Sequence, residues 1–130
     1  MAVSKLLIDS HVFLWLLQEP QKIGKQALGA IASGGTIYLS LVSIWELAIK
    51  YSKGQLDFSP GQLIKIAESS NFSLLPIDPG HIALLPKIIT KHDDPFDKML
   101  LAQGLAENLP LVTADKTLLQ TKYQTIDARL

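Results

Sequence analysis

His92–Asp115 reads HDDPFDKMLLAQGLAENLPLVTAD. Asp93, Asp94 and Asp97 fall within five positions, a greasy run follows from Met99, and a second apolar run from Leu109 ends in another acid, Asp115. The first half carries helix-start chemistry: Asp94 as cap, Pro95 at the first helical position, and Asp97 as an acid in the first turn. The second half is short and continuously apolar, as expected of a strand buried on both faces. Helix running directly into buried strand is the repeating unit of an α/β sheet.

The same alternation extends toward the N-terminus. Val3–Asp9 and Thr36–Ser40 read as strands, and Phe72–Asp78 as a third. Helices are expected over HVFLWLLQ, over KIGKQALGAIASG with Gly34-Gly35 as a stop, and over SIWELAIKYSKG from near Ser43 to Gly54. PGQLIKIAESSN and PGHIALLPKII each place proline in a first helical turn, and a short helical turn precedes a closing YQTID. The fold class is therefore α/β. We expect one domain over residues 1–130, with a central parallel sheet of about four to five strands flanked by helices on both faces.

Composition sets limits. The 130 residues are 48% hydrophobic and only 18% charged, which suits a globular chain and argues against disorder. Such apolar content leaves room for an exposed patch of the kind that partners or self-association cover. Twelve basic residues balance twelve acidic ones, so no global field advertises nucleic-acid binding. Without cysteine, disulfides and thiolate metal sites are excluded. Asp9, Ser10 and His11 interrupt the apolar N-terminal run, which reads as buried strand and helix rather than signal peptide or membrane span, and a cytoplasmic protein is expected.

Topology then gathers the acids. In a parallel sheet the carboxyl ends of the strands and the amino ends of the following helices share one edge, where ligands bind. Asp9 ends the first strand, Asp115 ends a later one, Glu46 is expected in the first turn of the helix after TIYLS, and Asp97 in the first turn of its helix. Each has a plainer explanation: Ser43-x-x-Glu46 matches a capping box, Asp94-Pro95-Phe96-Asp97 resembles one, and Asp9 and Asp115 suit strand-end turns. Together they say more. Asp97 shares a helical stripe with Leu100, Leu101 and Gly104 and so points toward the sheet. Clustered carboxylates repel, and stay ionised mainly where a cation supplies opposite charge. An oxygen-only donor set suits Mg²⁺ or Mn²⁺, and such a rim performs phosphoester hydrolysis by activating water and stabilising the leaving oxygen. Ser10 and Thr113 are placed to hydrogen-bond a carboxylate, a metal-bound water or a phosphate, or a local turn. His11 and His92 read as structural, Asp93 and Asp94 as loop and cap, and Lys50, Lys53, Lys98 and Lys116 as solvated surface lysines.

LLIDSHVFLWLL, LSLVSIWELAIKYSKGQL, HDDPFDKMLLAQ and LPLVTADKTL, in this order and spacing, resemble the PIN-domain ribonucleases, in particular the VapC-type toxins of bacterial toxin–antitoxin pairs. The resemblance covers nearly the whole chain. It implies four acids, Asp9, Glu46, Asp97 and Asp115, with Thr113 as the hydroxyl near the last. It also implies a Mg²⁺- or Mn²⁺-dependent endoribonuclease that inhibits translation and is silenced by a cognate antitoxin. Such a protein is usually a homodimer, and meets DNA only through the antitoxin. Ser10 stands where threonine is common, and Lys116 follows Asp115 where some members add an acid, so a four-acid site is expected. Two alternatives remain: a PIN-like module that binds RNA or a protein without cutting, and a small phosphohydrolase or receiver-like domain. The last wants an acidic pair beside its nucleophile, and LLIDSHVF offers a single aspartate.

Overall fold

The computed structural model describes residues 5–33 and 35–130. Five strands, β1 (Lys5–Ile8), β2 (Thr36–Ser40), β3 (Ser73–Leu75), β4 (Leu111–Thr113) and β5 (Thr125–Asp127), form one sheet in the order β3-β2-β1-β4-β5. Every pairing is parallel, with Ile8 opposite both Leu39 and Val112. The chain thus starts at the centre, winds outward through β2 and β3, then returns to the other side of β1 for β4 and β5. The point where winding reverses, between β1 and β4, opens a crevice at the carboxyl ends of the strands.

The strands lack polar alternation because both faces are covered. Leu6 and Ile8 join one core with Val12, Phe13, Leu47 and Leu63, while Leu7 joins another with Leu100, Leu101 and Leu111. Helices α1 (Ser10–Gln18), α2 (Lys25–Ile31), α3 (Leu41–Ser52) and α4 (Pro60–Ser69) contribute to the first core. The second is built largely by α6 (Pro95–Glu107), with Leu118 of α7 (Lys116–Leu119) and Leu84 at the end of α5 (Pro79–Leu84). The expected α/β sheet is therefore present.

Element boundaries shift where local chemistry intervenes. The helix expected from near Ser43 starts at Leu41, because β2 feeds it without a loop and Ser40 caps it, accepting the Val42 N–H at 3.0 Å. Ser43 is no cap: its hydroxyl is buried without a hydrogen-bond partner in the protein. Glu46 consequently sits in the second turn, and its carboxylate is released from the capping role the sequence offered it. KIGKQALGAIASG divides into a 3₁₀ turn at Pro20–Lys22 and α2. PGHIALLPKII leaves the α-helix at Leu84 for a 3₁₀ turn, because Pro86 has no N–H to continue the ladder. The third strand shortens to Ser73–Leu75 and the fourth to Leu111–Thr113. Val3 and Ser4 of the expected first strand, and Gly34 of the expected stop, lie outside the described residues.

Candidate metal centre

Asp9 follows β1 and caps α1. One oxygen accepts the Val12 N–H at 2.8 Å and the other accepts the Thr113 hydroxyl at 2.5 Å. Thr113 closes β4, and its Oγ1 also accepts the Asp115 N–H at 3.1 Å. One hydroxyl therefore ties the first acid to the backbone of the last across the β1–β4 seam. Asp115 caps α7 with Oδ1, which accepts the Thr117 and Leu118 N–H groups, and is otherwise exposed. Glu46, one layer over on α3, accepts the Ser10 hydroxyl at 2.7 Å. Ser10 thus orients an acid, and Thr113 orients an acid while also closing a local turn to Asp115.

Asp97 occupies the first turn of α6 without serving its cap. Asp94 Oδ1 accepts both the Phe96 and Asp97 N–H groups, and the Asp94 N–H goes to His92 Nδ1, so no reciprocal capping box forms. The Asp97 carboxylate instead faces His92 Nε2 at 3.7 Å. Donor atoms of His92, Asp97 and Asp115 all lie within 4.8 Å of one another. Asp9 and Glu46 stand outside this tight triad, but the electrostatics bridge the gap: Glu46 bears on both Asp9 and Asp97, and Asp115 bears on Asp97.

Burial pushes the Asp97 carboxyl up to about 7, reinforced by the negative charges of Asp94, Asp115 and Glu46 and only partly offset by His92. Asp9 is also raised, first by burial and slightly by Glu46, against the hydrogen bonds from Thr113 and Val12. Two carboxylates are thus held where ionisation is unfavourable, at the edge where an α/β sheet binds ligands. The carboxylate oxygens suit a hard divalent cation, whose charge would relieve the crowding, and the imidazole beside them is a donor that softer divalent metals favour. The triad fits such an ion.

His92 is the contribution sequence reading undervalued. A lone histidine carries little signal, and only the loop that turns its Nδ1 to the Asp94 N–H directs Nε2 toward Asp97. A second grouping, Asp78, His81 and Glu107, is of a different kind. His81 is buried, its Nδ1 accepts the Asp78 N–H at 3.1 Å, and its Nε2 meets Glu107 at 2.9 Å. The Nδ1 contact fixes the proton on Nε2, leaving no free lone pair for a metal. His81 locks α5 to α6. A cavity of about 410 Å³ also lies elsewhere, an apolar groove along α6 between Leu84 and Tyr123.

An acidic rim at the switch point of a five-stranded parallel sheet, with side chains grouped closely enough to hold a metal ion, defines the class of α/β protein. The PIN domain family matches residues 6–122, and the chain belongs to that family. Its fold is similar to those in solved structures of VapBC2 from Rickettsia felis bound to a promoter DNA fragment (TM-score 0.72, 14% identity, 95% of this chain and 98% of that one). It is similar also to VapBC-1 from nontypeable Haemophilus influenzae (0.68, 18%, 97% and 99%). VapBC-5 from Mycobacterium tuberculosis, a member of the VapBC family of toxin–antitoxin systems, gives 0.59 at 16% identity, over 98% and 100% of the two chains. No curated protein matches the chain by sequence.

Proposed function

We propose that this PIN-domain protein is a divalent-metal-dependent endoribonuclease, acting as the toxin of a toxin–antitoxin pair. The observation that carries the proposal is Asp97: a carboxyl pushed up to about 7 first by burial and then by the charges of Asp94, Asp115 and Glu46, grouped with Asp115 and His92 at the sheet edge of a PIN domain. Asp97, Asp9 and Glu46 hold the metal, with Asp115 a direct or water-mediated ligand. Mg²⁺ or Mn²⁺, if held by these acids, would supply acidification of water and an offset to charge on the leaving oxygen of a phosphodiester. The chain's own residues do the positioning. Thr113 and Val12 fix both Asp9 oxygens, Ser10 fixes Glu46, and the Asp94 cap holds the first turn of α6 so that Asp97 faces inward.

An antitoxin as partner is supported by the toxin–antitoxin complexes whose fold the chain shares, and contact with DNA would come only through it. A homodimer is supported by exposed apolar side chains, Ile82 on α5, Ile89 between α5 and α6, and Leu105 on α6 where it lines the apolar groove. Among the described residues no helix is long and apolar enough to cross a membrane, and a cytoplasmic site of action fits a ribonuclease that inhibits translation.

Purified protein should cleave single-stranded RNA with Mn²⁺ or Mg²⁺ and stop on chelation. Asp9→Asn or Asp97→Asn should abolish cleavage with an unchanged circular dichroism spectrum. Cleavage by either variant at the parent rate would remove these acids from the site. Growth arrest on expression, relieved by the product of the adjacent open reading frame, tests the toxin assignment separately.

A further inference from the structure

The two tryptophans have different surroundings. Trp15 is half-buried, with the Lys22 ammonium 5.7 Å and the Arg129 guanidinium 5.6 Å from its ring. Trp45 is 58% exposed, and its ring contact is an edge-to-face meeting with Phe96, centroids 5.2 Å apart at 78°. That contact braces the indole on one side and leaves most of it open. Phe96 is itself anchored in the core beneath α6. Trp45 immediately precedes Glu46 on α3, and Phe96 immediately precedes Asp97 on α6. The pair therefore joins α3 and α6, the helices that carry Glu46 and Asp97, at the position just before each acid.

An open indole forgoes apolar burial, so a ligand that covers it is favoured. Resting on the ribonuclease reading above, we infer that Trp45, braced by Phe96, stacks on a nucleobase next to the phosphodiester held at the carboxylates, and so selects single-stranded RNA. The substrate carries its own cover. A phosphodiester bound at the acids brings its neighbouring bases to this pair, and no further component is needed to bury the ring. Only an unpaired base can offer its face, and stacking of this kind tolerates any base. Trp45 is on this account a substrate-positioning residue, with no part in bond breaking.

The test is steady-state cleavage of a short single-stranded RNA by the full chain with Mn²⁺, comparing the parent with Trp45→Leu and Trp45→Phe. Loss of one stacked base should raise KM at least about fivefold in the leucine variant. kcat at saturating RNA should stay within about twofold, and phenylalanine should restore much of the KM. Removing single bases from the RNA, position by position, should raise the parent's KM at one position next to the cleaved bond and leave the leucine variant indifferent there. In Trp15→Phe protein with Ca²⁺ in place of Mn²⁺ to hold off cleavage, the emission of Trp45 should be quenched as RNA is added. An unchanged KM in Trp45→Leu, with the parent active on RNA, overturns the stacking role and leaves the ribonuclease standing. So does an unchanged KM with loss of self-association or antitoxin binding, which would give the indole to a protein interface. A parent inert on RNA with Mn²⁺ overturns both.

Discussion

Replacing Asp97 by asparagine should make the metal-free protein more stable at pH 8 while it abolishes cleavage. In the folded chain the Asp97 carboxyl titrates at about 7, against an ordinary 3.8. Between those pH values the folded protein holds a proton that the unfolded chain has released. Stability therefore falls as pH rises from about 4 to about 7, and the loss is complete above that. A gap of about three pH units at 1.36 kcal/mol each sets a ceiling of about 4 kcal/mol. Asparagine removes the charge but leaves a polar amide to be satisfied, so a gain of about 2 kcal/mol is expected at pH 8. Urea denaturation in chelator reads this directly, at pH 8 and again near pH 3, where Asp97 is largely protonated in both states and the difference should close. Mn²⁺ should stabilise the parent by mass action and do little for the variant. A variant no more stable than the parent at pH 8, or a difference independent of pH, would refute the view that Asp97 is kept under electrostatic stress by its neighbours.

Thr113→Val keeps the shape of β4 but strips the Asp9 carboxylate and the Asp115 N–H of a shared partner. It should cost about 1–3 kcal/mol in urea denaturation. Because the Thr113 bond holds Asp9 down against burial, the acid limb of the pH–rate profile should also move to higher pH; an unmoved limb would show that this bond does not govern the site. His81→Ala should lower stability by a similar amount by unpairing Glu107 and the Asp78 N–H, with cleavage per folded molecule unchanged. A specific loss of activity would place that cluster in the chemistry.

What was legible in the sequence was what local chemistry and topology decide together. Asp94-Pro95 starts α6 as capping rules require, and the buried strands declare themselves by unbroken apolar runs. Strand-then-helix order alone sends Asp9, Asp97 and Asp115 to one edge. Partner choice was less legible where two local partners competed. Ser43-x-x-Glu46 satisfies a capping pattern, yet Ser40 takes the cap and Ser10, 36 positions away, takes the glutamate. No local pattern encodes that pairing, because it depends on how α1 and α3 lie over the sheet. His92 shows the same limit: its place beside Asp97 follows from the bend of one loop, and a loop bend leaves little trace in composition.

The hydroxyl bridge from Thr113 to Asp9 joins positions 104 residues apart. A chain emerging from the ribosome presents Asp9 first, then Glu46, with neither β4 nor the acid beyond it yet available. Until β4 inserts beside β1, the acids stand scattered and hydrated, without the burial that makes them crowd. The hydrogen-bonded link between the first acid and the strand before the last is therefore unavailable throughout most of synthesis. A chain cut short before Thr113 would carry three of the four acids without the strand that ties Asp9 to Asp115.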